Sequence, residues 1–418
     1  MVRIKNQWLI GAVLFALSSI HLGNTSWAEG LNNNIYPDSV SAPLKGPRFD
    51  TQPEQITATD DDTSLDQYIE TKLAQAHMPG LSAAIVKNGE IVWTGAYGVS
   101  RAYTQQPVTS ETLFMLASVS KTIVAVAVMQ IQEDGRLDLD TDINTYLPFH
   151  VVNPNFPETP ITPRMLLTHT SSIADNWPVM QSLYVQGDSP IPLGQFLQDY
   201  LTPGGAYYSP TQNFYAEEPG TASHYSNIGA TLAAYLVEAI TGIPFDTYCT
   251  SHIFEPLGMT ETFWHLTGLD QSHIAMPYGY SKIGHFYHPY GFYGYPDYPD
   301  GELRTSALQL ANFLNMFIQY GELSGVRLLQ PETIEEMRRI QYPDIAPTQG
   351  LIWYYKRLSN MTLFGHNGGD QGVATEMFLR PEDGVGVILL MNGNWTYSNY
   401  LLIMQIEIRL FKEAGYVQ

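Results

Sequence analysis

From Thr122 to Ile131 the chain reads Thr-Ile-Val-Ala-Val-Ala-Val-Met-Gln-Ile. A helix of this composition is apolar on nearly every side, so it is stable only inside a core with other elements packed round it. Ser118-Val119-Ser120-Lys121 stands immediately before it. Residues three apart share a helix face, which points the serine hydroxyl and the lysine amine the same way. A serine at a helix start also lies among unpaired backbone N–H groups at the positive end of the dipole, a setting that suits an oxygen gaining negative charge. A lysine at the head of a buried helix is costly without a partner or a task. The tetrapeptide therefore reads as a nucleophile beside its base. The same spacing on an ordinary amphipathic helix is a solvated pair, so the buried run behind it is what favours the chemical reading.

The 418 residues, 44% hydrophobic and 12% aromatic, are ample for a large core. The formal charge of −21, with only 20 Lys and Arg, argues against a nucleic-acid partner. Cys249 is the only cysteine, which excludes an internal disulfide and any cysteine-based zinc site. Arg3 and Lys5, the apolar run Trp8 to Ile20 and the small outer residues of Ser26-Trp27-Ala28 form the pattern of a cleavable secretory signal. Residues 1–28 are expected to be that signal, leaving a periplasmic or secreted protein without stable membrane insertion. A polar leader, 29–62, should follow.

Residues 63–418 read as one domain. A helix is expected from about Ser64 to His77, then a hairpin whose two β-prone runs flank Asn88-Gly89. From about 113 to 259 the pattern is helical, with Pro-, Gly- and Tyr-rich loops between. Strand character returns at Thr362–His366, Thr375–Arg380 and Val385–Met391, and Tyr400–Glu413 reads as a closing helix. The expected class is α+β: an antiparallel sheet built from about 63–112 and 260–418, flanked by helices and interrupted by the helical region.

Three motifs in this order resemble those of the serine β-lactamase and penicillin-binding-protein superfamily, in its class C-like branch. They are Ser118-Val119-Ser120-Lys121, Tyr225-Ser226-Asn227 after Pro219-Gly220, and His366-Asn367-Gly368 ahead of strands and a closing helix. Leu166 to Ser172 and Leu257-Gly258-Met259 are similar to further landmarks of that family. The resemblance runs from about residue 64 to 413. It implies a site in the groove between a sheet domain and a helical region, no cofactor or metal, and a small-molecule or peptide substrate.

Activating a hydroxyl at neutral pH takes a base and a site for the oxyanion. Lys121 is the first base candidate, because a desolvated lysine can be neutral, and Tyr225 is the second. By resemblance, Tyr225 shares protons with Lys121 and Ser118 and protonates the leaving group; its bland alternative is a tyrosine packed at a helix start. Asn227 is implied to hold Lys121 and contact substrate, or simply to cap the helix that follows. The family's oxyanion hole would fall on the N–H groups of Ser118 and Gly369, with Gly368 and Gly369 letting substrate approach or marking a bulge. His366 replaces the lysine that many relatives use to attract a substrate carboxylate, and a histidine mostly neutral at pH 7 does this less well. That departure favours esters or amides. A β-lactamase or D-specific peptidase or carboxypeptidase stays open, as does a non-catalytic binding or sensor homologue. The Tyr-rich segments near 207–215 and 278–298 either line the groove or pack as surface loops.

Overall fold

Asn88 and Gly89 both take positive φ, 55° and 82°, as a two-residue hairpin turn requires. They join β1 (Gly80–Lys87) to β2 (Glu90–Arg101), which pair antiparallel with one register shift near Ile85. These belong to a computed structural model that describes residues 63–415; the expected signal and leader, 1–62, lie outside the described residues. After β3 (Gln106–Pro107) the chain leaves the sheet and re-enters it through β4 (Tyr354–Leu358), β5 (Met361–Asp370), β6 (Val373–Arg380) and β7 (Val385–Met391). The order is β4-β5-β6-β7-β1-β2-β3, with every neighbour antiparallel. Pairing of β7 with β1, from Leu81↔Met391 to Val86↔Gly386, closes the two ends of the chain into one sheet.

Alternation along the strands divides two cores. Leu81, Ala83 and Ile85 pack with Val387 and Leu389 against α1 (Leu65–Ala76) and α5 (Tyr397–Glu413), through Ile69, Leu73, Ile403, Ile406 and Leu410. Ala84, Val86, Met377 and Ile388 face the larger core, which takes in α2 (Lys121–Glu133), α3 (Asn227–Thr241) and α4 (Ala307–Ile318). Every residue of α2 from Ile123 to Val128 has no exposure, as an all-apolar helix demands. Ser64, expected from the sequence as the first residue of the helix, is instead the N-cap of α1.

The expected α+β architecture holds, with differences inside it. The strand expected at Thr362–His366 extends to Asp370, because Asn367, Gly368 and Gly369 stay in continuous register with Glu376, Thr375 and Ala374; there is no bulge. The stretch assigned to the sheet after residue 260 also contains α4 and a helix at Pro331–Arg338. Edge strand β4 carries Lys356 and Arg357, which hide its pattern. Lys356 Nζ reaches Glu376 on β6 at 2.8 Å and Glu407 on α5 at 2.9 Å, on the sheet face that α1 and α5 cover.

The turn before α2 is held from both sides. Phe114–Met115 pairs with Arg304–Thr305, Leu116 N–H donates to the Leu303 carbonyl at 2.8 Å, and Thr375 Oγ1 donates to the Leu116 carbonyl at 2.7 Å. Ala117 then adopts φ 47°, a left-handed conformation that L side chains avoid, and the chain enters a 3₁₀ turn at Ala117–Ser120. β5 presses on this turn: a Cβ on Gly368 would lie 2.3 Å from the Leu116 carbonyl oxygen and 2.9 Å from Ser118 N.

Gly368→Ala should therefore cost about 1–3 kcal/mol through overpacking, read as a lowered denaturation midpoint. Lys356→Met strands two buried carboxylates and should cost about 3–5 kcal/mol. Burial, above all, raises the Glu376 carboxyl to about 8, and Glu407 is raised for the same reason. A raised carboxyl pKa favours the protonated folded state, so ionisation erodes stability as pH climbs from the ordinary glutamate range through the folded pKa. Loss of the lysine enlarges that effect. Denaturant titrations should show the deficit largest at about pH 9 and smallest at about pH 5.

Candidate active site

Lys121 has no exposure, and its Nζ has two partners: Ser118 Oγ at 2.9 Å and the Asp300 carbonyl at 2.6 Å. A neutral amine can donate to the carbonyl and still turn its lone pair to the serine hydroxyl. Burial pushes the amine below its ordinary pKa, and the carboxylates of Asp300, Asp175, Asp297 and Asp370 oppose that in part. The helix spacing thus delivers the expected pair, whereas the carbonyl partner comes from a loop far along the chain.

Tyr225 lies beside the pair. Lys121 Nζ is 5.2 Å from its ring centre, and the His169 and His366 rings are 4.4 and 6.3 Å away. Its buried hydroxyl faces Ser118 without closing a hydrogen bond within the described residues; catalytic bonds are often loose before substrate binds. Burial pushes the phenol well above its usual range, and the serine hydroxyl offsets this only in part. The phenol is accordingly a proton donor at neutral pH.

Asn227 departs from expectation. Its Nδ2 donates to Asp175 Oδ2 at 2.9 Å, and the second partner of Lys121 is the Asp300 carbonyl. Nor is Asn227 the cap of α3: Ser226 holds that place, accepting from Gly229 N–H at 2.8 Å. Asp175 also accepts from the N–H groups of Asn227 and Ile228, so a carboxylate satisfies the first turn of α3.

His366 is 2% exposed and hydrogen-bonds through Nδ1 to the Asn367 carbonyl, which makes it a neutral donor there. Burial, with Lys121 nearby, pulls its pKa down to about 3. It lies behind Tyr225, between that ring and Tyr354, and does not line the cleft. His169, noted in the sequence only as a landmark, is neutral for the same reason, with a pKa of about 3. Its Nδ1 accepts from Ser226 N–H at 3.2 Å, fastening the Tyr225-Ser226-Asn227 turn, while its ring packs tilted against that of Tyr225.

A narrow cleft lies over the pair. Of the residues singled out in the sequence, Ser118, Asn227 and Gly369 line it; Lys121, Tyr225, His366 and Gly368 stand behind them. Trp177, Tyr184, Tyr295, Asp297, Asp300 and Asp370 complete much of its wall. So part of the Tyr-rich segment 278–298 does line the groove. Asp175, Asp297 and Asp300 escaped the sequence reading, although the tandem Tyr-Pro-Asp of Tyr295 to Asp300 was a visible signal.

Known proteins share sequence and fold with this chain. Protein flp of Staphylococcus aureus (strain N315) is 23% identical over 350 residues, covering 81% of this chain and 64% of that protein, so the chain spans under two thirds of this relative. The octameric penicillin-binding protein homologue of Pyrococcus abyssi superposes with a TM-score of 0.69 at 26% identity, over 83% of this chain and 77% of that one. The D-amino acid amidase of Ochrobactrum anthropi SV3 shares the fold, with a TM-score of 0.65 at 21% identity, over 84% of this chain and 100% of the other. The family model named Beta-lactamase matches residues 65–400, and with the serine and lysine of its first motif in contact, the chain belongs to the beta-lactamase family of serine hydrolases.

Proposed function

We propose that this protein is an exported serine hydrolase that forms an acyl-enzyme on Ser118 and cleaves ester or amide bonds. The observation that carries the reading is the 2.9 Å contact of Lys121 Nζ with Ser118 Oγ, made where burial favours the neutral amine. Neutral Lys121 takes the Ser118 proton as Oγ attacks the scissile carbonyl. The carbonyl oxygen becomes negative beside the N–H groups of Ser118 and Gly369, at the start of the turn leading into α2. Tyr225, kept protonated by burial, gives its proton to the leaving group and recovers one from Lys121. Deacylation runs the relay again with water as the nucleophile: the water proton passes to the Lys121–Tyr225 pair and returns to Ser118 Oγ as the acyl group departs.

Substrate choice follows from what the cleft lacks. Among the described residues no Lys or Arg lines it, and His366 is buried and neutral, so no described side chain there attracts a carboxylate. Esters and amides without a carboxylate are the better substrates. Export is supported by the pattern within residues 1–28, and N-terminal sequencing of exported protein should begin at Glu29.

A fluorophosphonate probe should label Ser118, and Ser118→Ala should abolish labelling and turnover while circular dichroism stays unchanged. Lys121→Ala and Tyr225→Phe should each lower kcat by a factor on the order of 100. Wild-type protein should turn over p-nitrophenyl acetate with a higher kcat/KM than a chromogenic cephalosporin. Labelling that survives Ser118→Ala refutes the nucleophile, and a faster cephalosporin refutes the substrate preference.

A further inference from the structure

Among the described residues, the wall of the cleft is acidic and holds no cationic side chain. Asp297 and Asp300 are 2% and 6% exposed, both line the cleft, and neither carboxyl accepts a hydrogen bond from an N–H or O–H of another residue among the described residues, apart from a proton shared between the two. Buried carboxyls normally have donors or a cation. Asp370, at the mouth, accepts from the hydroxyls of Tyr295 at 3.2 Å and Tyr184 at 3.3 Å and from Gln371 N–H at 2.7 Å, all neutral donors. Lys121, the nearby cation, is committed to Ser118 and the Asp300 carbonyl, and burial favours its neutral form.

Aromatic rings stand among these carboxyls. Trp177, Tyr184 and Tyr295 line the same cleft, the two tyrosine rings 4.7 Å apart. The faces of such rings attract cations, and they do so most strongly for organic ammonium groups shielded from water. A divalent metal would need several converging oxygen ligands, and the described residues hold no group of three or more His, Cys, Asp or Glu arranged for one. Carboxyls with no cationic side chain beside them in the cleft wall, in a cleft that aromatic rings also line, match an ammonium on a carbon frame. The position is also suited to catalysis, since the Asp300 carbonyl lies within two hydrogen bonds of Ser118 Oγ through Lys121.

We propose that this cleft is an ammonium subsite, in which Asp297, Asp300 and Asp370 supply the negative charge and Trp177, Tyr184 and Tyr295 the aromatic wall, and that the preferred substrates are esters or amides carrying an organic ammonium group close to the scissile carbonyl. The substrate assignment rests on the serine-hydrolase reading; the subsite itself does not. Occupation by a cation supplies the charge that the acid pair lacks and leaves a carboxylate-bearing molecule with no complementary group.

The test is calorimetric titration of the wild-type protein with benzylammonium, benzyltrimethylammonium, benzyl alcohol and benzoate, which share one ring and differ in charge. At least one ammonium should bind about tenfold or more tightly than benzyl alcohol, benzoate should bind least, and the ammonium should inhibit p-nitrophenyl acetate hydrolysis competitively. A tighter primary amine assigns the larger share to the carboxylates, and a tighter quaternary one assigns it to the rings. Asp297→Asn with Asp300→Asn should erase the preference; Asp370→Asn, whose side chain sits at the mouth, should reduce it if the double variant does not fold. Equal binding of benzyl alcohol and both ammonium compounds to wild-type protein overturns the proposal. Ammonium binding in a protein that takes no fluorophosphonate label leaves the subsite standing and removes the hydrolase reading.

Discussion

A lysine amine with no exposure, held between a serine hydroxyl and a loop carbonyl, is the interaction on which the rest of the site depends. The apolar body of α2 draws Lys121 into the core, and the desolvation this entails is tolerated only where hydrogen-bond partners meet the amine. One partner is supplied three residues back by helix geometry. The other is the carbonyl of Asp300, in the turn Tyr298–Asp300 that packs against α2 and α3. Without that turn the amine would lose an acceptor and its orientation toward Ser118.

The same burial sets the charge state of the neighbours. His169 and His366 are held neutral, so neither adds a positive charge beside Lys121. Tyr225 is held protonated. Against these stands a concentration of carboxyls, Asp175, Asp297, Asp300 and Asp370, which pulls Lys121 back toward its charged form. The base is therefore set by a balance between desolvation and nearby negative charge, and a group that neutralises those carboxyls favours the free amine. The proposed ammonium subsite and the proposed base thus share one electrostatic environment.

Backbone packing brings the three motifs together. Gly368 lets β5 lie against the turn at Ser118, where any Cβ would strike the Leu116 carbonyl. Asp175 fastens the start of α3 through two backbone N–H groups, and His169 binds Ser226 N–H while packing against Tyr225. Tyr225 is thus positioned by contacts from a loop that the sequence places far from it.

Local patterns determined much of this protein by themselves. Asn88-Gly89 permits the positive φ values of a tight hairpin, Ser64 caps α1, and the apolar run behind Lys121 can only be a core helix. Ser118 and Lys121 were legible because i, i+3 spacing is a property of the helix alone. What the tertiary structure decided is everything that depends on partners remote in sequence. The edge strand β4 is charged because Lys356 meets Glu376 and Glu407, which no local period reveals. Asn227 binds Asp175 and not Lys121, and His366 is buried behind Tyr225 and not displayed in the cleft, because each side chain takes the nearest compatible partner in the packed molecule. Asp297 and Asp300 acquire meaning only when the fold carries their turn to the nucleophile, for charge and burial are properties of the assembled site and not of the residues that compose it.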